Sequence, residues 1–314
     1  MDPLLYIFDL IVYIGIFGIL ALSLNLEFGF TGLANFGKVA FFLVGAYTYA
    51  LLSQIGIPFY LCLIAGALVS AVFGLLVSLP ALRLRADYLA IVVLTFGEIL
   101  RLIVKSEDWI AGGDWGISVS RAISLVGASP RVNALVNIGL VYLCLLVCFL
   151  VVQLLANSPY GRVIRAIRED EIAAEALGKN RAKYKAQIFM LGSAMAGVAG
   201  GLYAQYLQCI LPGMFMPMVT FTIWIMVLLG GPANTGGVLL GAMLVEVFDR
   251  GANIAKDYLI LPVDPSNLQY ILFGVLIILV LFYRPQGLLK ESSVKTKALE
   301  LARYERSAAK SKGS

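Results

Sequence analysis

Apolar windows long enough to cross a lipid bilayer as helices recur along this sequence and constrain its fold more than any other feature. A window of about 18 or more apolar residues is typical of a membrane-spanning helix, and 60% of the 314 residues are hydrophobic. We predict about nine spans, of which the glycine-rich second and seventh could instead be re-entrant or broken helices. The predicted spans lie near residues 4–26, 33–53, 58–80, 87–105, 132–156, 186–207, 216–231, 234–255 and 267–283. The predicted fold class is therefore all-α, a polytopic helical bundle in a membrane.

One long polar segment, residues 157–185, interrupts the series and holds seven basic and four acidic side chains. Ser158 and Pro159 are typical of a helix N-cap followed by proline at the first helical position. Acidic residues then favour the start of a second short helix, and Gly178 can end it. The segment is either a solvated connection or a coupling helix that seats in a groove of a cytoplasmic partner. For the second interpretation, the candidate contact residues are Arg162, Arg165, Arg168, Glu169, Asp170, Glu171, Ala173, Ala174 and Gly178.

The distribution of lysine and arginine predicts the orientation of the bundle. Of the 24 basic residues, 17 lie in the turn with Arg83 and Arg85, in segment 157–185, and from Arg284 to Lys312. Nine spans place these three regions on one side, which the positive-inside rule makes cytoplasmic. The amino terminus is then outside and the carboxyl terminus inside. Residues 106–131 form the main external loop.

The same pattern divides the chain into two regions. Residues 1–289 form a transmembrane domain that includes segment 157–185, and residues 290–314 form a basic cytoplasmic tail. We interpret the tail as a solvated anchor near anionic lipid, with a regulatory role as the alternative. The net charge of +5 follows from this topology, and we expect no nucleic-acid partner.

Ionisable residues inside the predicted spans are costly in lipid unless they are paired or hydrated. Glu98 and Arg101 share a helix face, as do Glu246 and Arg250. Each set is either an interfacial pair that reaches out of the lipid or the wall of a water-filled outward vestibule. The candidates for a translocation pathway are Asn25, Asn35, Thr95, Glu98 and Arg101. The alternative for each of these residues is a role in helix packing.

Small residues recur at helical spacing in two of the spans. Ser193, Gly197 and Gly201 are four apart, and Gly237 and Gly241 repeat the spacing. Such faces let helix backbones approach closely in lipid, where no hydrophobic force drives helices together. The pattern predicts closely packed helices.

The sequence lacks the motifs of catalysis. It has no histidine and no Walker A, HExxH or GxSxG pattern. The four cysteines have no histidine or carboxylate neighbours that would complete a metal site. The glycine-rich stretch 230–237 lacks the lysine of a phosphate-binding loop and is predicted to link spans seven and eight. We expect no enzymatic activity, no metal and no cofactor on this chain.

Segment 157–185 resembles the EAA loop of ABC importer permeases, in which Glu-Ala-Ala precedes a glycine. Ala173, Ala174 and Gly178 match that spacing, while the acid stands at Glu171 and Ile172 holds its usual place. Five longer stretches resemble the LivM-type permeases of branched-chain amino acid importers. They are residues 25–52, 82–102, 112–118, 158–178 and 280–289.

The resemblance implies the ABC importer permease fold and a role as one subunit of an ATP-driven importer in a bacterial or archaeal cytoplasmic membrane. It implies a heterodimer with a homologous second permease and an external substrate-binding protein. It also implies two cytoplasmic ABC ATPase subunits, which use ATP and Mg²⁺ and contact the coupling helices. The substrates would be leucine, isoleucine and valine.

Alternative functions remain open at this level. Closely similar permeases carry urea, amides or other amino acids. A secondary transporter driven by H⁺ or Na⁺ would require acidic ion ligands on broken helices. An integral-membrane enzyme would require paired carboxylates at mid-membrane or a histidine cluster.

Overall fold

The computed structural model describes residues 3–81, 86–107, 112–119, 130–258, 274–275, 278, 282 and 286–291. This part of the chain is almost entirely helical, with one short antiparallel strand pair. The helices are α1 (Pro3–Leu24), α2 (Lys38–Gln54), α3 (Phe59–Ala81), α4 (Ala86–Ser106), α5 (Pro130–Asn157), α6 (Pro159–Glu169), α7 (Glu171–Ala176), α8 (Arg181–Leu207), α9 (Pro217–Gly230) and α10 (Thr235–Tyr258).

Eight of these helices coincide with the first eight predicted spans. Within the described part of the chain, four stretches are long and apolar enough to cross a membrane, namely Leu4–Gly29, Phe59–Pro80, Arg131–Asn157 and Arg181–Leu207. The ninth predicted span, 267–283, falls largely outside the described residues, as do Arg83, Arg85 and most of the tail 290–314. The part of the loop 106–131 that is described contains a 3-10 turn, Gly113–Trp115, and strand β1, Ile117–Ser118.

Helices α1 and α2 are joined by a break that begins in an unusual geometry. The chain continues α1 as a π-helix, Asn25–Gly29, which is often a mark of functional sites. Gly32 then adopts a φ of +71°, and α2 starts only at Lys38. The second predicted span therefore begins five residues later than expected, because its first residues form the turn.

Helix α9 has 14 residues, which is fewer than the roughly 20 that cross the hydrocarbon core. A 3-10 turn, Pro212–Phe215, precedes it. Gly231, with a φ of +108°, ends it. The predicted link between spans seven and eight is thus a four-residue connection between α9 and α10.

Helix α8 packs against both α2 and α3, and small residues set the spacing as predicted. A Cβ added to Gly45 of α2 would overlap the backbone of Gly197. A Cβ added to Gly74 of α3 would overlap the side chain of Ser193. Gly241 of α10 is in similar contact with the carbonyl of Met226 in α9. The core is therefore held together by close backbone approach.

Two sets of contacts define the ends of the bundle. At one end, β1 pairs with strand β2, Cys209–Ile210, and Gln54 Nε2 donates to the Ser118 carbonyl at 3.0 Å. At the opposite end lie α6, α7 and the π-helix. We call these the β end and the polar end. The predicted topology assigns the polar end to the cytoplasm.

Candidate functional site

Helix α6 starts as the sequence predicts and lies against the polar end of the bundle. The Ser158 hydroxyl accepts from the Gly161 amide at 3.2 Å, and Pro159 takes the first helical position. Ile164 and Ile167 are buried, whereas Arg162 is exposed. The helix is amphipathic, so its arginines differ in what they face.

Arg165 and Arg168 face the bundle. One amino group of Arg168 donates to the Gly29 carbonyl, at the end of the π-helix, and the other donates to Glu291 Oε2 at 2.9 Å. Arg165 lies over the Phe30 ring at 5.2 Å, with its Nε 3.7 Å from Glu291 Oε1. Burial lowers the pKa of the Arg165 guanidinium, and the Glu291 carboxylate opposes that change. These two arginines therefore join α6 to the end of α1 and to residues 286–291.

Helix α7 starts among the acidic residues and ends before Gly178, as predicted, and it is capped at both ends. Asp170 Oδ1 accepts from the Ile172 and Ala173 amides at 2.9 and 3.0 Å. Gly178 has a φ of +77°, and the Lys179 amide donates to the Ala174 carbonyl at 3.1 Å. Helices commonly end at a glycine with a left-handed backbone, next to which an amide donates back to a carbonyl of the last turn. The caps fix where the six-residue helix begins and ends.

Glu171 braces α7 against the start of α8. Its carboxylate pairs with Lys185 and with Arg181, the latter at 3.2 Å. Burial disfavours the charged form, but the two cations outweigh it and hold the pKa of Glu171 below its usual range. Arg181 also lies 3.4 Å from Glu175. The acid singled out by the sequence therefore makes its contacts within the chain.

The outer face of α7 is apolar and exposed. Ile172 and Leu177 are 77% and 80% exposed, and Ala173 is exposed beside them. Ala174 is buried on the opposite face, and Glu169 is exposed at the end of α6. Two large aliphatic side chains this exposed on a rigid, capped turn form a surface suited to a protein partner.

A buried ion pair lies at the helix break, and the sequence patterns did not identify it. Lys38 Nζ is 2.7 Å from Glu27 Oε1, and both side chains are 0% exposed. Asn35 Nδ2 donates to the other carboxylate oxygen at 2.9 Å. Glu27 lies just beyond the first predicted span, 11 residues before Lys38. The sequence feature that could have revealed this pair is one charged residue on each side of an irregular, glycine-rich connection.

The predicted pathway residues Asn25 and Asn35 lie in this same buried region. Asn25 Oδ1 accepts from the Ala233 amide at 2.8 Å, which ties the π-helix to the link between α9 and α10. Asn35 Oδ1 accepts from the Gly37 amide at 3.0 Å, and its carbonyl accepts from Trp224 Nε1 at 3.2 Å. Both asparagines therefore hold irregular backbone in place.

The other predicted pathway residues lie together on α4, apart from the two asparagines. Arg101 Nε donates to Glu98 Oε2 at 2.9 Å, so the predicted pair forms. The Thr95 hydroxyl donates to the Ile91 carbonyl at 2.9 Å and is on the exposed face of the helix. The structure thus separates the predicted set into a buried group at the break and a partly exposed group on α4.

A second polar cluster lies at the β end, where α1, α8 and α10 meet. The Arg250 guanidinium lies over the rings of Tyr13 and Tyr6, at 4.4 and 5.7 Å. Tyr206 donates a hydrogen bond to Asp9. Glu246 is buried one helical turn before Arg250. The predicted Glu246 and Arg250 face is therefore covered by tyrosines of α1.

Comparisons with known proteins place this geometry in context. Residues 6–281 match the family described as "Branched-chain amino acid transport system / permease component". A probable branched-chain amino acid transport permease protein LivM from Methanocaldococcus jannaschii is 32% identical, over 91% of this chain and 94% of that protein. The high-affinity branched-chain amino acid transport system permease protein LivM of Escherichia coli K12 is 34% identical, over 87% and 68%. The permease protein LivH of the same strain is 23% identical, over 89% and 92%. No solved structure was found to match the chain.

Proposed function

The chain belongs to the family of branched-chain amino acid transport permeases, and we propose that it is the membrane subunit of an ATP-driven importer for leucine, isoleucine and valine. ATP hydrolysis would take place on two separate ATPase subunits, which also bind the ATP and Mg²⁺. An external binding protein would deliver the amino acid. The observation that carries this proposal is the exposed apolar face of α7, held rigidly at the polar end.

The face of α7 suits an ATPase subunit because it is small, apolar and braced. Ile172 and Leu177 would enter a groove of the ATPase, where burying each side chain contributes about 1.5–3 kcal/mol. Asp170, Glu171 and Gly178 would act by holding the helix in place through its caps and ion pairs. Arg162 is the one arginine of α6 on the exposed side and would reach the partner directly.

Arg165 and Arg168 support a route from the ATPase contact into the spans. Arg168 binds the last carbonyl of the π-helix, and Asn25 of the same π-helix binds the link between α9 and α10. A displacement of α6 would therefore move the end of α1 and that link together. The buried Glu27 and Lys38 pair would make the break move as one rigid unit.

Helix α4 is our candidate for the pathway wall and for contact with a second permease. The exposed residues of α3 are apolar throughout, and those of α5 are apolar between residues 132 and 151, as lipid requires. In contrast, the exposed side of α4 carries Thr95 and the one-third-exposed Glu98 near its middle. Polar groups at that depth favour a wet or protein-covered face. The relatives include both LivM and LivH permeases, which supports a heterodimer.

The proposed membrane topology has nine spans, an external amino terminus and a cytoplasmic carboxyl terminus. The polar end would face the cytoplasm of a bacterium or archaeon, and residues 290–314 would form its basic tail. The grouping of helix ends supports this arrangement, since α6 contacts both α7 and Glu291.

The test is uptake by the chain together with its partner subunits in proteoliposomes. We expect radiolabelled leucine, isoleucine and valine to accumulate only with ATP inside and the binding protein outside. Urea and amides serve as competing substrates. Uptake by the lone chain driven by an ion gradient, or a strong preference for urea, would contradict the proposal.

A further inference from the structure

A cleft opens at the β end of α4, away from the ATPase-facing surface. The cleft is shallow and largely open, with a volume of about 480 Å³, which is sufficient for a small molecule. Among the residues that the structure describes, those lining it are Ile99, Leu102, Ile103, Lys105, Ser106 and Asp114. In the proposed topology the cleft faces the side from which the substrate arrives.

One wall of the cleft is aliphatic. Ile99, Leu102 and Ile103 lie on one face of α4 and are 51%, 48% and 44% exposed. Their spacing of three and four residues makes a continuous apolar strip. A branched aliphatic side chain of a ligand can lie along this strip.

Of the described lining residues, Lys105 and Asp114 place a cation and an anion on the rim of the cleft. Lys105 Nζ lies 3.4 Å from Asp114 Oδ1, and the side chains are 46% and 69% exposed. An ion pair this exposed contributes little to stability, so a ligand with opposite charges can replace it at low cost. Asp114 sits on the 3-10 turn between Gly112 and Gly116, whose φ angles are +66° and +74°.

We infer that this cleft is the receiving site for the free amino acid. The ligand carboxylate binds Lys105, its ammonium group binds Asp114, and its branched side chain packs on Ile99, Leu102 and Ile103. This inference rests on the proposed function. It adds a zwitterion-selective site on the permease itself, which takes the amino acid after the binding protein releases it.

The test is protection of a cysteine placed in the cleft. Ser106→Cys is made in a Cys209→Ser background, because Cys209 is an exposed cysteine of the native chain. The complex with its partner subunits is labelled from outside with a membrane-impermeant methanethiosulfonate. We expect leucine at about ten times its dissociation constant to slow labelling about tenfold, since only the free site reacts. Ile55→Cys, exposed at the same end, is the matched control and should be labelled without protection.

Further measurements on variants and ligand analogues support or overturn the inference. Protection should be lost in Lys105→Met and Asp114→Asn, and it should not occur with isopentylamine or 4-methylpentanoate, which each lack one charge. Equal protection by these two compounds would reduce the site to an apolar cleft and overturn the inference. Absence of protection by leucine, in a complex that still accumulates leucine with ATP, would overturn the inference alone. Failure of the wild-type complex to take up leucine would instead overturn the proposed function.

Discussion

The guanidinium of Arg168 donates a hydrogen bond to the carbonyl oxygen of Gly29, and this contact joins the polar helix α6 to the π-helix that ends α1. The last carbonyl groups of a helix have no hydrogen-bond partner within the helix. Arg168 supplies a donor to the Gly29 carbonyl, and its second amino group donates to Glu291. One side chain thus connects three segments that are far apart in the sequence.

Arg168→Met should uncouple transport from ATP hydrolysis. The ATPase face on α7 stays intact, whereas α6 loses its bond to α1, worth about 1.5–3 kcal/mol for a charged donor. We expect about a tenfold fall in leucine transported per ATP hydrolysed, with ATPase activity retained. Lys183→Met, which removes an exposed cation at the start of α8, is the control for loss of charge and should retain this ratio. Equal ratios in the wild type and Arg168→Met would contradict the route.

Ile172→Asp combined with Leu177→Asp should detach the ATPase subunits. Two charges on the exposed face of α7 cannot enter an apolar groove without a large desolvation cost. We expect loss of co-purifying ATPase while the chain remains in the membrane. Ile55→Asp is matched in exposure, at 76% against 77% for Ile172, and should leave the ATPase bound. Normal co-purification of the double variant would refute the docking face.

Lys38→Met should destabilise the chain strongly, because it leaves the Glu27 carboxylate buried without a cation. Breaking a buried pair from one side costs about 3–5 kcal/mol, whereas replacing both partners with apolar residues is often tolerated. Glu27→Leu with Lys38→Leu should therefore be more stable than Lys38→Met. The midpoint of thermal aggregation in detergent measures this order. The reverse order would show that Glu27 is not destabilising without its cation and would contradict this prediction.

Gly45→Ala should weaken packing of α2 on α8, because the added methyl group overlaps the Gly197 backbone. Overpacking of this kind costs about 1–3 kcal/mol. Gly139→Ala in α5 is the matched control, since open space surrounds that position. The midpoint of thermal aggregation in detergent should fall for Gly45→Ala and stay unchanged for Gly139→Ala. A similar fall in both would attribute the effect to glycine loss in general.

The brace made by Glu171 should depend on pH only in the acidic range. Its pKa is lowered in the folded chain, so its contribution is complete above the ordinary value of 4.5 and is lost as the pH falls through the lowered pKa. Spin labels at Leu177→Cys and Lys183→Cys should report a constant distance from neutral pH down to that range. In Glu171→Gln the distance should be broad throughout. A change in the spin-label distance between neutral pH and pH 4.5, in the protein that keeps Glu171, would contradict the role of this carboxylate.

Most helices were predictable from the sequence because lipid demands long apolar runs. The eighth span, for example, could be predicted from the apolar residues of 234–255 and the glycine-rich link before them. The N-cap at Ser158, the acidic start of α7 and the stop at Gly178 were equally local signals. Features of this kind depend on neighbours within four residues.

The helix break and its ion pair were not predictable in the same way. The pairing of Glu27 with Lys38 depends on a turn whose course is fixed by Ala233 and Trp224, about 200 residues away. The directions of Arg165 and Arg168 also required the position of Glu291. A spacing of three residues indicated a shared helix face without showing what that face meets.

The dry pair of Glu27 and Lys38 also bears on how the chain enters the membrane. During synthesis Glu27 emerges 11 residues before its partner, and a lone carboxylate within a bilayer is costly. We therefore expect the first helix to wait at the insertion machinery until Lys38 arrives, so that α1 and α2 enter the lipid together as a hairpin. Ribosome-stalled chains that end between the two residues should then remain cross-linked to the translocon.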